Sequence, residues 1–108
     1  MPLFEKLIND VKGVIPQMAE STLKEFAGEG SGMMTDYLEK AKPDLRTSSL
    51  LLAAGKISHG EFKSAVRADL QAGKTHLLEI KGIEEDGVDE FMNSLVDALV
   101  SGAAKVLM

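Results

Sequence analysis

Apolar residues along this chain recur three and four positions apart almost everywhere, the spacing that lines one face of a helix. No stretch sustains the apolar–polar alternation of a half-buried strand. Leu3, Phe4, Leu7, Ile8, Val11, Val14 and Ile15 form a first stripe. Pro16 interrupts it, because a proline lacks the amide a helix needs and crowds the preceding turn. Met18, Leu23, Phe26 and Ala27 resume the pattern, which predicts a kinked helix or two short ones.

Gly28-Glu29-Gly30-Ser31-Gly32 puts three glycines in five residues and reads as a flexible connector. A short helix is expected beyond it, with Met33, Met34, Tyr37, Leu38 and Ala41 facing inward. Lys42-Pro43-Asp44 is expected to turn or kink the chain. Leu45 to Ala54 predicts another short helix, with Gly55 as its left-handed cap.

The best-specified boundary is Ile57-Ser58-His59-Gly60-Glu61-Phe62. Ser58 and Glu61 have the spacing of a capping box, in which each side chain satisfies a backbone amide of the other. Ile57 and Phe62 stand where a hydrophobic staple would clamp the first turn. The long helix that follows carries Phe62, Ala65, Val66, Leu70, Leu77 and Leu78. It is expected to stop at Gly82, with Ile83 folding back on Leu78. Gly73 inside it marks a bend or the close approach of a neighbour.

The last helix is expected from near Asp86 almost to Met108. Its apolar stripe is two residues wide: Val88, Phe91, Met92, Leu95, Val96, Leu99, Val100, Ala103, Val106 and Leu107. The pattern therefore predicts an all-α fold. Residues 1–108 would form a single-domain bundle of five or six helices, with two long C-terminal helices as the central pair.

Composition suits that picture. The chain has 108 residues, 44% of them apolar, with four Phe, one Tyr and no Trp, so its core must be aliphatic. It has no cysteine, which excludes disulfides, thiolate metal sites and thiol nucleophiles, and fits a reducing cytoplasm. A net charge of −5 argues against a nucleic-acid partner, which needs clustered Lys and Arg. No run of 18 uncharged apolar residues occurs, and Asn93, Asp97 and Lys105 break the nearest candidate, so no membrane span is expected. The opening Met1-Pro2-Leu3-Phe4-Glu5-Lys6 carries charges where a signal peptide would be apolar.

Several strings imitate functional motifs and fail on chemistry. Gly55 to Phe62 resembles half of a calcium-binding EF-hand loop, but Leu50, Leu52 and Ala54 occupy positions that must supply oxygen ligands. Gly73-Lys74-Thr75 copies the end of a phosphate-binding loop, yet Ala68 replaces the first glycine and no strand precedes it. Ser31 has Glu29 where a nucleophile elbow needs glycine.

His59 and His76 are the two acid–base candidates near neutral pH. His76, Glu79 and Asp69, spaced by turns of one helix, offer the start of a metal site. A helical di-metal centre needs matching sets on several helices, however, and no second such motif exists. No catalytic, cofactor-binding or metal-binding residue is therefore assigned.

Glu84, Glu85, Asp86, Asp89 and Glu90 form the densest acidic patch, placed to complement a helix N-terminus. Ala98, Gly102, Ala103 and Ala104 are small enough to let another helix approach. The chain closes on apolar Val106-Leu107-Met108, which either packs inward or meets a partner. Met18, Met33, Met34, Met92 and Met108 offer an adaptable binding surface, although their helical spacing assigns most of them to the core. The sequence thus points to a non-enzymatic protein–protein interaction or assembly module in the cytoplasm, pairing with itself as a homo-oligomer. The alternatives are a small acidic protein that binds and neutralises a basic partner, and a metal-binding bundle.

Overall fold

In a computed structural model, the breaks expected at Pro16, at Gly28–Gly32 and at Pro43 all fall inside helices. Residues 2–107 are described, the side chains of Pro2, Val106 and Leu107 excepted. Helix α1 spans Pro2–Leu23, a 3-10 turn covers Lys24–Phe26, and α2 runs Ala27–Ala53. Helices α3 (His59–Leu78) and α4 (Glu85–Leu107) follow. The all-α reading holds, but the five or six helices reduce to four pieces, because the short helices predicted on either side of Pro16 and of Pro43 are continuous and the glycine-rich segment belongs to α2. The chain is helical from Pro2 to Ala53 apart from the one 3-10 turn. The expected central pair is corrected as well. The longest helix is α2 at 27 residues, and α1 at 22 lies between α3 at 20 and α4 at 23.

Packing explains why the prolines do not end their helices. A proline inside a helix costs about 3 kcal/mol or more. Around Pro43, Leu38, Ala41, Leu45 and Leu52 are all buried on one face, and each large apolar side chain contributes roughly 1.5–3 kcal/mol. Pro16 lies between buried Ile15 and Ala19 in the same way. Both prolines are on the solvent side, where a carbonyl that loses its amide partner can tilt out to water.

The glycine-rich segment is the first turn and a half of α2, and the buried stripe of Met34 and Leu38 extends from it. Buried Gly30 is there for space: a β-carbon on it would collide with the Leu23 side chain at the end of α1. The chain reverses a few residues earlier, at Lys24, whose φ of 55° lies in the left-handed region. The other two corners place glycine in that region, Gly55 at φ 72° and Gly82 at φ 88°.

The Gly55 cap agrees with the sequence, and so does the capping box. The Ser58 amide donates to Glu61 Oε1 at 2.9 Å, and the Glu61 amide to Ser58 Oγ at 3.1 Å. The end of α3 differs. It stops at Leu78 rather than Gly82, the Ile83 amide bonds the Ile80 carbonyl, and Ile80 and Ile83 pack on the core while Leu78 stays 40% exposed.

The four helices run up and down, each against the next, and α4 closes the ring on α1. The long axis of 42 Å is about the length of one helix at 1.5 Å per residue. One core fills the centre. It is built from Phe4, Ile8 and Ile15 of α1, Met34 and Leu45 of α2, Phe62 and Leu70 of α3, and Phe91 and Leu95 of α4. Gly73 is buried in α3 because Tyr37 and Met34 of α2 lie against it, the close approach anticipated from sequence. Of the apolar C-terminus, Ala103 is buried in the core. Met108 and the side chains of Val106 and Leu107 lie outside the described residues.

Candidate functional site

The polar groups singled out in α3 do not come together. His76 Nδ1 and Glu79 Oε2 stand 3.8 Å apart, both well exposed at the end of the helix. Asp69 lies seven residues earlier, about 10 Å along the axis, too far to share an ion with them. Its carboxylate instead accepts a hydrogen bond from Ser48 Oγ of α2 at 3.4 Å, and its carbonyl accepts one from the Tyr37 hydroxyl at 3.1 Å. Burial, with the Asp44 carboxylate nearby, raises the Asp69 carboxyl above its usual range, and the Ser48 bond partly offsets this. Among the described residues no three His, Asp or Glu side chains are grouped to hold a metal. The trio expected as the beginning of a metal site is thus a polar seam between α2 and α3 and a separate exposed pair.

The four helix–helix seams differ in character. The α1–α2 seam is laced by charge: Lys42 meets Glu5 at 3.0 Å, Arg46 meets Glu5 at 2.9 Å, and Lys12 pairs with Glu39. Arg46 also lies over the Phe4 ring, 5.3 Å from its centre. These partners hold the Glu5 carboxyl below its usual range, the Lys42 hydrogen bond first among the causes. The α3–α4 seam carries a ladder of Lys63–Asp97 at 3.3 Å, Arg67–Asn93 at 3.0 Å and Lys74–Asp89 at 2.7 Å. Asp89 Oδ1 is shut off from water without a hydrogen bond, so the Lys74 charge is what compensates it.

The α1–α4 seam has no ion pair or side-chain hydrogen bond across it among the described residues. Its outer groove is lined by Leu7, Val11, Val14 and Met18 from α1 and by Ala98 and Gly102 from α4, with polar Asp10, Gln17, Ser21, Thr22, Ser94, Ser101 and Lys105 among them. Val14 is 39% exposed there. Gly102 admits the Leu7 side chain, which a β-carbon would meet at 2.5 Å. Part of the small-residue stripe noted in the sequence therefore serves contact within the chain.

One end of the bundle concentrates the negative charge. The Lys24–Phe26 corner sits beside the α3–α4 connection: Phe26 approaches Gly82, and the Thr22 carbonyl approaches Gly87. Glu20, Glu25 and Glu29 thereby join Glu79, Glu84, Glu85, Asp86, Asp89 and Glu90. Nine carboxylates against Lys24, Lys74 and Lys81 give this end a formal charge of −6, and the chain total of −5 leaves +1 for everything else. Glu29, Glu85 and Asp86 stand in the first turns of α2 and α4, where helix dipoles favour them. Only the second half of this cluster was visible as a run of residues.

No helix among the described residues is long and apolar enough to cross a membrane. No protein-family model matches the chain, and no curated protein or solved structure is significantly similar to it.

Proposed function

We propose that this protein is a non-enzymatic helical assembly module that pairs with copies of itself. The observation that carries the reading is the α1–α4 groove, largely apolar in surface, with small residues on α4, no polar link across it and Val14 held partly in solvent. Such a surface gains from covering by another helix, at roughly 25 cal/mol for each Å² of apolar area removed from water. The charge distribution orients the pair. Copies side by side with their acidic ends together would repel, so an antiparallel arrangement is favoured. A reducing cytoplasm suits a chain without cysteine.

Sedimentation equilibrium over a wide concentration range tests this. Reversible dimerisation, weakened by Val14→Glu with the helical signal unchanged, is the expected result. A strict monomer at every concentration would overturn it.

The acidic end favours a second reading, capture of a basic protein partner. Lysine substitution at Glu84, Glu85 and Asp86 should abolish binding of a polylysine probe at low salt. Unchanged binding would end that reading.

A further inference from the structure

The first corner of the bundle is unlike the other two. Where the second and third corners turn at glycine, the first turns at Lys24 with φ 55°, a conformation costly for any residue with a β-carbon. The backbone is helical on both sides of it. Met18, Ala19, Glu20, Leu23, Glu25 and Ala27 are good or adequate helix formers and neither proline lies near, while Ser21, Thr22, Gly28 and Gly30 are weaker ones that α1 and α2 hold in helix all the same. The reversal is thus concentrated at Lys24, and the packing of α1 on α2 and α4 holds the chain folded back.

We propose that the chain exchanges α1 with a second copy of itself. Lys24 returns to the right-handed helical region, α1 and α2 join into one helix from Pro2 to Ala53, and each α1 docks on the α2 and α4 of the other chain. Every buried contact of α1 is remade between chains, and the two strained residues are relieved. Two long helices then lie antiparallel, as α1 and α2 do within one chain, with an α3–α4 hairpin on each half. The corners of both chains meet at the centre, so the two acidic ends face each other and salt promotes the exchange. This inference goes beyond the groove-mediated pairing proposed above: exchange leaves the α1–α4 groove uncovered and brings the acidic ends together, so Val14→Glu should weaken groove pairing and leave exchange unchanged. Each half keeps the α1–α4 groove, now lined by one chain's α1 and the other's α4.

The test labels exposed Asn9→Cys and Lys40→Cys with spin probes, dilutes the doubly labelled chain into excess unlabelled protein, and measures the distance within one chain. In the hairpin the two sites are neighbours. In the exchanged dimer they stand 31 residues apart on one helix, about 46 Å. The dimer fraction is expected to show the long distance and to grow between about 20 mM and about 1 M salt. Lys24→Gly, which accepts the turn without strain, should lower the dimerisation constant about tenfold or more, and Lys24→Val should raise it. A dimer showing only the short distance would overturn exchange while leaving surface association standing. Monomer throughout would overturn both. Should Lys24→Val fail to fold, the unmodified hinge and Lys24→Gly still decide the question.

Discussion

Gly32→Ala and Gly73→Ala are the same chemical change in two helix interiors, and they should move stability in opposite directions. Gly32 is exposed in α2, and a β-carbon there would meet nothing within 4 Å. The substitution should add the helix preference of alanine, about 0.5–1 kcal/mol. At Gly73 the same preference is opposed by contact. Its β-carbon would stand 2.7 Å from Tyr37 Cδ1 and 3.0 Å from Met34 Sδ. The methionine can swing aside, but the tyrosine ring is held by its bond to the Asp69 carbonyl. Overpacking costs about 1–3 kcal/mol, and a weakened hydrogen bond adds up to roughly 1 kcal/mol.

Gly73→Ala should therefore lose about 1–2 kcal/mol net, several degrees in Tm for a domain of this size. Urea denaturation followed by helical circular dichroism measures both, with equal slopes confirming that the same surface unfolds. A Gly73→Ala variant as stable as the parent would refute the close packing of α2 on α3. No gain from Gly32→Ala would refute the continuation of α2 through the glycine-rich segment.

Other tests address single devices. Ser58→Ala removes one arm of the capping box and should cost about 1 kcal/mol in the same titration. Lys24→Gly should stabilise the monomer by about 0.5–1 kcal/mol at high dilution, since the strain it relieves exceeds the backbone entropy it adds. The Asp69 carboxyl titrates above its unfolded value, so its contribution is full below the ordinary carboxylate range and is lost as pH rises through the folded value. Asp69→Asn should flatten that part of the stability–pH curve. Glu5 has the opposite sign: its ion pairs stabilise the fold above the ordinary range and fail as pH falls, so Glu5→Gln should blunt the loss towards acid.

Elements whose signals are local were legible along the chain. The Ser58–Glu61 box, the Gly55 cap and the α4 stripe from Val88 to Ala103 depend on residues within a few positions of one another, and they stand as expected. The breakers misled, because the cost of a proline or glycine is local whereas the burial that outweighs it comes from other helices. Pro43 is overruled by Leu38, Leu45 and Leu52 packing on the core, and Gly30 proves to be a contact with Leu23 rather than a hinge. Of the candidate metal trio, Asp69 was separable from His76 by helical rise alone. That it turns to Ser48 was not, since Ser48 belongs to another helix.

The sequence by itself determined that this chain is helical, that its core is aliphatic, and where its third helix starts. Tertiary structure alone decided that four helices form rather than five or six, that the chain reverses at Lys24, and that Glu20, Glu25 and Glu29 gather beside Glu84, Glu85 and Asp86. The reason is one of range: periodicity and capping act over three or four residues, whereas reversal, close approach and the sum of charges at one end depend on which distant segments the core brings together.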